Sequence, residues 1–270
     1  MRWLRSAASV SRLRKRVEML KKRLIVRLDV KAPSLVKTVN LEGLRVVGDP
    51  YEHATRYDQE GIDEIVYLDI VASLYGRNGL LGLVERTTDA VFCPVTVGGG
   101  VRSIEDARRL LRAGADKVAV NTEATKRPGL LSELARALGC QAVVLQLDAK
   151  RRGDRWEAWC NGGREPTGRD AVDWAEEAVA AGAGEILLTS VDREGTGTGF
   201  DLRLIEAVVA AVKVPVIASG GFGSPIHAVK ALEAGADGVA VARALHYGAT
   251  TMAELSETVR RAGVPVRTAA

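Results

Sequence analysis

Short apolar segments alternate along the chain with stretches of helical periodicity. The apolar segments lie at residues 24–30, 65–69, 94–97, 117–120, 142–147, 185–189, 216–219 and 238–242. Near-continuous apolar runs of this length predict strands that are buried on both faces, as in a parallel sheet. Several helical stretches end at a glycine, as at Gly114, Gly182 and Gly235. The pattern predicts an α/β fold, a single (β/α)8 barrel, with a doubly wound open sheet as the alternative.

The second half of the chain repeats the first. The paired segments are PVTVGGG at 94–100 with PVIASGG at 215–221, AGADKVAV at 113–120 with AGADGVAV at 234–241, and LDVK at 28–31 with LDAK at 147–150. A period of half the chain is longer than the roughly 20–50 residues of solenoid repeats. The repeat therefore predicts two half-barrels closed into one pseudo-symmetric TIM barrel.

Composition narrows the class of protein. The net charge is only +4, and acidic residues balance the basic ones over the remainder of the chain, so we expect no nucleic-acid partner. No apolar run approaches the roughly 18 residues that span a bilayer, so we expect no membrane segment. The three cysteines are scattered without metal-ligand spacing, which predicts no metal site and fits a reducing, cytoplasmic location.

The first 18 residues differ from the rest of the chain. They are rich in arginine and lack the apolar core of a signal peptide. Their spacing of apolar residues would allow a short amphipathic helix, but we expect a disordered basic extension at 1–18. The barrel is predicted to occupy residues 19–270.

Two aspartates end the first and fifth predicted strands. Asp29 and Asp148 occupy equivalent positions of the two repeats, so their carboxylates are expected to face each other across the barrel mouth. Active sites of this fold lie where strands end and βα loops begin. Such a pair can divide the work of a general acid and a general base. The alternative is a structural role, as helix caps or in salt bridges to Lys31 and Lys150.

Glycines follow the third and seventh predicted strands, at 98–100 and 220–221. Glycine at a strand end lets backbone N–H groups approach a phosphate. Two such loops on opposite sides predict a long substrate with a phosphate at each end. The polar loop at 192–196 and Lys37, in the long loop after the first strand, are expected to touch this substrate.

Several of these segments resemble the cyclase subunit of imidazole glycerol phosphate synthase. They are LDVK at 28–31, TVGGG at 96–100, ADKV at 115–118 with Asn121 and Thr122, LDAKR at 147–151, and GEILLTS at 184–190 with Asp192 and Arg193. The resemblance covers nearly everything after Met19. The segments around Asp148 and from Gly184 to Gly195 separate this family from its sister half-barrel, the phosphoribosyl-formimino isomerase.

The resemblance implies an enzyme without a cofactor that pairs with a glutamine amidotransferase as a heterodimer. Ammonia from that glutaminase passes through the barrel and closes an imidazole ring on a bis-phosphorylated ribulosyl intermediate, with release of an aminoimidazole carboxamide nucleotide. Asp29 and Asp148 match the acid/base pair. Gly100, Asn121 and Thr122 match one phosphate site, and Gly195, Gly221 and Arg243 occupy the positions of the other. Lys37 and Thr189 complete the expected substrate-binding set. The implied ammonia gate is a charged ring of Arg23, Glu64, Lys117 and Glu185.

The chain departs from the family pattern at several site positions. Arg27 stands where the family usually has cysteine, Ala32-Pro33 replaces Asp-Gly, Glu194 replaces aspartate, and Arg243 replaces a small hydroxyl residue. These departures leave open a paralogue that channels ammonia to a surface-polysaccharide sugar. A barrel that only docks and activates a glutaminase, and the isomerase of histidine biosynthesis, are further alternatives.

Overall fold

A computed structural model describes residues 21–72 and 79–267. The predicted extension at 1–18 lies outside the described residues. The strands are β1 Arg23–Lys31, β2 Ser34–Val39, β3 Glu42–Gly48, β4 Glu64–Asp69, β5 Val95–Gly98, β6 Lys117–Val120, β7 Val143–Arg152, β8 Arg155–Cys160, β9 Glu165–Asp170, β10 Glu185–Ser190, β11 Val216–Ser219 and β12 Gly238–Val241.

Eight of these strands close into a parallel barrel in the order β1, β4, β5, β6, β7, β10, β11 and β12. The ring closes because β12 pairs in parallel with β1, where Val241 lies opposite Val26. The predicted (β/α)8 barrel is therefore confirmed, and the open-sheet alternative is wrong. The barrel strands coincide with the eight apolar segments of the sequence to within a few residues.

Helices cover the outside of the barrel. They are α1 Pro50–Gln59, α2 Leu81–Thr88, α3 Ile104–Arg112, α4 Thr122–Lys126, α5 Gly129–Leu138, α6 Ala171–Ala180, α7 Leu202–Ala211, α8 Pro225–Glu233, α9 Arg243–His246 and α10 Met252–Arg261. Ser103 caps the start of α3, because its hydroxyl accepts a hydrogen bond from the Asp106 backbone amide at 3.1 Å. Among the described residues, no helix is both long and apolar enough to cross a membrane.

A separate apolar layer fills the middle of the barrel. Its members are Ile25, Val66, Leu68, Ala119, Val144, Leu187, Ile217 and Ala240. They point inward from barrel strands, whereas the larger core lies between the strands and the surrounding helices. A barrel interior filled in this way is a packed apolar core. The layer separates polar groups at the N-terminal ends of the strands from those at the C-terminal ends.

Two antiparallel hairpins extend the barrel at the mouth. One, β2–β3, follows β1, and the other, β8–β9, follows an extended β7. The first hairpin occupies the long loop that the sequence predicts after the first strand. The hairpins follow the strands that carry Asp29 and Asp148, so the repeated architecture also places them on opposite sides of the mouth.

The packing of α6 against the barrel gives a first testable prediction. Trp174 is only 1% exposed and has the largest side chain among the fully buried residues described. Trp174→Ala should lower the free energy of unfolding by about 3–5 kcal/mol, because a large cavity replaces packed aromatic contacts. Tyr247→Ala is the control, since Tyr247 is 53% exposed and its loss should change stability by less than about 0.5 kcal/mol. Urea unfolding measures both, and equal losses would contradict the assigned packing.

Candidate active site

Asp148 lies at the mouth, near the C-terminal end of the parallel part of β7, and lines the main cavity. The Asn121 side-chain amide donates to its Oδ2 at 2.9 Å, and Gln146 donates weakly at 3.4 Å. The residue is fully buried. Burial raises the pKa of Asp148 to about 6, even though the positive charge of Arg27 acts in the opposite direction. A carboxyl group with this pKa can exchange a proton near neutral pH.

Asp29 is also buried but has a different environment. Arg27 donates through Nε to its Oδ1 at 2.7 Å, and Lys37 donates through Nζ to its Oδ2 at 3.1 Å. Burial alone would raise the pKa of Asp29, but the charges of Arg27 and Lys37 outweigh it and hold the pKa well below its usual range. Asp29 is therefore an ionised carboxylate, covered by these two side chains, and is absent from the described lining of the main cavity.

Arg27 crosses the floor of the site from β1. Besides its bond to Asp29, its Nη1 donates to the hydroxyls of Thr189 on β10 and Ser219 on β11, at 3.1 and 3.2 Å. Thr189 is thus buried beneath Arg27, and it lines none of the cavities described. Thr189, one of the expected substrate-binding residues, therefore contacts Arg27 and is in contact with the site through it.

The hairpin β2–β3 is fastened over the mouth by Lys37. Its ammonium group pairs with Glu194, in the loop after β10, as well as with Asp29. The backbone amide of Asn40 donates to the backbone carbonyl oxygen of Glu194 at 2.7 Å. Gly195 follows with φ +73°, and a Cβ there would lie 2.3 Å from the Thr38 carbonyl oxygen. A glycine is needed at this position because the hairpin backbone approaches so closely.

The first expected phosphate site is part of the main cavity. Gly100, Asn121 and Thr122 line it together, and the cationic side chains around them are Arg102, Lys126 and Arg164. Gly99 turns the chain into this loop with φ +96°, and a Cβ would lie 2.3 Å from the carbonyl oxygen of Asp69. Backbone exposure and positive charge combine here in the way that a phosphate requires.

The second expected phosphate site is a smaller cavity on the other side of Arg27. Gly195, Gly221 and Arg243 all line it. Gly221 has φ +108°, and a Cβ there would lie 2.2 Å from the Gly199 carbonyl oxygen. Arg243 is exposed and extends to Gly197, where an added Cβ would lie 3.4 Å from its Nη1. The predicted residues therefore meet, but a guanidinium occupies part of the space.

The four predicted gate residues form a closed ring of ion pairs at the N-terminal ends of their strands. Arg23 contacts Glu64 at 2.7 Å and Glu185 at 2.5 Å. Lys117 contacts the same two carboxylates at 2.7 and 2.8 Å. Thr96 donates a further hydrogen bond to Glu64 at 2.6 Å. Every charge of the ring has two opposite partners, which satisfies these partly buried groups at the base of the barrel.

Sequence reasoning overlooked some residues of the site. Gln146 and Arg164 both line the main cavity, and neither belongs to the expected substrate-binding set. Arg27 is noticed only as a departure from a family pattern. A stronger signal is its place between apolar neighbours in a strand that is otherwise buried. A charged side chain there must find partners inside the protein.

The fold and site belong to a known class of barrels. A family model described as "Histidine biosynthesis protein" matches residues 23–251. Curated relatives named "Imidazole glycerol phosphate synthase subunit HisF" align over most of the chain. The protein from Myxococcus xanthus is 54% identical over 92% of this chain and 99% of its own length. The one from Pyrococcus furiosus is 48% identical over 92% and 99%, and the one from Legionella pneumophila is 59% identical over 74% and 95%.

The chain therefore belongs to the HisF family of imidazole glycerol phosphate synthase subunits, enzymes of histidine biosynthesis. The family resemblance inferred from the sequence is confirmed, and so is the function of a cyclase subunit at the level of the family. The names of the relatives describe them as subunits.

The two carboxylates predict opposite effects of pH on stability. Because the pKa of Asp148 is raised from 3.8 to about 6 on folding, its ionisation costs stability as pH rises through this window. Asp148→Asn removes that cost. The variant should exceed the wild type at pH 8 by on the order of 2–3 kcal/mol, and the gain should shrink towards pH 4. Urea unfolding at several pH values measures it.

Asp29→Asn is the matched control with the opposite sign. Its carboxylate has a lowered pKa in the fold, so it contributes stability above its unfolded pKa and loses this contribution as pH falls. The variant should be less stable than the wild type at pH 8, with a smaller difference in acid. An Asp148→Asn protein with the same stability difference at all pH values would contradict the assigned environments.

Proposed function

We propose that this barrel closes the imidazole ring of imidazole glycerol phosphate with ammonia as the nitrogen donor. The substrate is a ribulosyl-formimino intermediate with a phosphate at each end, and the second product is an aminoimidazole carboxamide nucleotide. The observation that carries the proposal is a pair of carboxyl groups in contrasting environments between two glycine-lined, cationic cavities. A barrel of the HisF family provides the context for this chemistry.

The two cavities fit the ends of such a substrate. One phosphate binds at Gly100, Asn121 and Thr122, and the other at Gly195, Gly221 and Arg243. Arg243 can donate two hydrogen bonds to a phosphate in the cavity that it lines. The central carbons of the substrate then lie over Arg27, which lines both cavities, and beside Asp148.

Asp148 carries the proton transfers. Ammonia adds to the ribulosyl carbonyl, whose oxygen leaves as water and takes up protons in doing so. The new nitrogen then attacks the formimino carbon, and the leaving aminoimidazole nitrogen takes up a proton. A buried carboxyl group with a pKa of about 6 can supply and recover these protons. Asp29 remains a carboxylate and stabilises positive charge that develops on the nitrogen centres.

The ammonia enters from the opposite end of the barrel. A glutamine amidotransferase docks as a heterodimer partner at the N-terminal ends of the strands, where Arg23, Glu64, Lys117 and Glu185 form their ring. Beyond the ring, the apolar layer around Ile25 favours a neutral molecule over ammonium. The ring acts as the gate between the partner and this layer.

The function is tested with the purified ribulosyl intermediate and ammonium salts. The wild type should form imidazole glycerol phosphate, and Asp148→Asn should lose roughly 10²–10⁴-fold in kcat, the usual contribution of a positioned acid or base. Product formation is followed by chromatography. The control is Asp173→Asn, because Asp173 lies on the outer helix α6 and should leave turnover unchanged.

A folded wild-type protein without turnover of this intermediate would contradict the proposal. The departures at Arg27 and Arg243 would then favour the second candidate, a relative that transfers ammonia to a surface-polysaccharide sugar. Growth of a strain without its own cyclase subunit separates the two in cells. This chain and its cognate glutaminase should restore growth without histidine only if the histidine reaction is the correct one.

The gate is tested by comparing the two nitrogen sources. Glu185→Ala removes a carboxylate that pairs with both Arg23 and Lys117, so two cations lose a partner at the base of the barrel. Glutamine-dependent turnover, measured with the amidotransferase bound, should fall roughly tenfold or more, whereas turnover with ammonium salts should change by less than about threefold. Steady-state kinetics with each nitrogen source measures the ratio.

Lys22→Met is the control for this experiment. It removes another ion pair near the same end of the barrel, between Lys22 and Asp237, which lies outside the ring. Both activities should remain close to the wild-type values. Equal losses with glutamine and ammonium in Glu185→Ala would reduce the ring to a structural network.

A further inference from the structure

We propose that Arg27 is the positioning residue that divides the roles of the two aspartates: it fixes Asp29 as a permanent anion and leaves proton exchange to Asp148. This inference rests on the proposed function for its catalytic meaning. Its structural content, the control of both carboxyl groups by one guanidinium, is independent of the substrate.

The bonds of Arg27 fix its position. Its Nε donates to Asp29 at 2.7 Å, while Nη1 donates to Thr189 and Ser219 on two other strands. The side chain is 2% exposed, and the guanidinium cannot lose its proton in a protein. Its orientation is therefore set from three strands of the barrel, and the charge next to Asp29 is constant at every working pH.

Lys37 completes the environment of Asp29. It occupies the second carboxylate oxygen, Oδ2, from the hairpin β2–β3, while Arg27 occupies Oδ1. Each oxygen of Asp29 therefore accepts a charge-assisted hydrogen bond from a different element. Protonation of this carboxylate would break one of these bonds and remove the negative charge that is paired with the buried Arg27.

The charges of the site balance without Asp148. The charged groups of the buried cluster around Asp29 are Arg27 and Asp29 on β1, Lys37 on β2 and Glu194 in the loop after β10. Two cations therefore meet two anions. Asp148 is a third acid in this buried cluster, and its described side-chain donors are the neutral amides of Asn121 and Gln146. Asp148 is therefore the acid whose charge is not matched within this cluster, and it is the one that exchanges protons.

His246 adds no charge to the balance. It packs from α9, where Nε2 lies 3.2 Å from the Arg27 carbonyl oxygen and Nδ1 lies 2.9 Å from the Tyr57 hydroxyl. Burial and the nearby charge of Lys37 lower the pKa of His246 to about 3. The imidazole is thus neutral and supports the backbone at Arg27.

The internal repeat provides a comparison within the same chain. In the alignment that pairs Asp29 with Asp148, the residue paired with Arg27 is Gln146. Both side chains lie two residues before an aspartate on equivalent strands, and both reach that aspartate, but only one is charged. The replacement of a neutral amide by a guanidinium is therefore a difference between the half-barrels that contributes, together with Lys37, to the unequal carboxyl groups.

The test is Arg27→Gln, which makes the two half-barrels alike at this position. Carboxyl ¹³C NMR of protein labelled at aspartate follows the titration of Asp29 and Asp148, assigned from the two Asp→Asn variants. In Arg27→Gln the midpoint of Asp29 should rise by about 1–3 pH units, and that of Asp148 should rise as well, because both lose a nearby positive charge. Arg203→Gln, on the exposed side of α7, is the control and should shift neither.

Arg27→Lys is the conservative variant. It keeps a positive charge near Asp29 and should titrate closer to the wild type than Arg27→Gln. If Arg27→Gln does not fold, Arg27→Lys still tests the proposal. A lysine side chain cannot reproduce the forked contacts of the guanidinium to Thr189 and Ser219. Arg27→Met takes the place of Arg27→Gln where needed. The proposal is wrong if either variant folds and the titration midpoint of Asp29 stays within about 0.3 pH units of the wild-type value.

The kinetic consequence distinguishes this inference from the proposed function. With the ribulosyl intermediate and a fixed concentration of free ammonia, the pH at which kcat changes should follow the shifted midpoints in Arg27→Gln. Shifted midpoints in a protein without turnover would retain the role of Arg27 and reject the proposed reaction. Normal turnover with unshifted midpoints would retain the reaction and reject the role of Arg27.

Discussion

The buried ion pair between Arg27 and Asp29 is the interaction on which the rest of the site depends. A guanidinium in the interior of a barrel is costly unless every nearby charge is matched. Asp29 supplies one match, and Lys37 with Glu194 supplies a second pair beside it. Because Lys37 belongs to the hairpin β2–β3, satisfying these charges also places the hairpin over the mouth. The contacts that match the buried charges are therefore also the contacts that hold the hairpin over the site.

The pseudo-symmetry of the barrel explains both the likeness and the difference of its halves. Two copies of one strand–loop pattern place an aspartate and a glycine loop on each side of the mouth. Symmetric copies alone would leave two equivalent carboxyl groups, which could not specialise. The asymmetry comes from the side chains around the two aspartates. Arg27 of the first half corresponds to Gln146 of the second within the strands, and Thr122 corresponds to Arg243 at the phosphate loops.

The fold could be predicted from the sequence because its signals are local. Apolar runs mark the strands, glycines end the helices, and strand ends identify the two carboxylates. The gate residues come from the family resemblance and not from these local signals. The clustering of Arg27, Thr189 and Ser219 could not be predicted this way, since Thr189 and Ser219 lie 162 and 192 positions after Arg27. The same holds for Lys37 and Glu194, 157 positions apart. Such contacts are set by barrel closure and by hairpin docking, which no local pattern encodes.

The distribution of charge along the barrel axis fits the movement of a neutral molecule. One ion-pair ring lies at the base, the cluster around Arg27 lies at the mouth, and an apolar layer containing Val66 and Ile217 separates them. Ammonium would pay a large desolvation penalty in that layer, whereas ammonia carries no charge. For the proposed reaction this means that ammonia would arrive unprotonated beside Asp148, and only the unprotonated form has the lone pair that attacks a carbonyl.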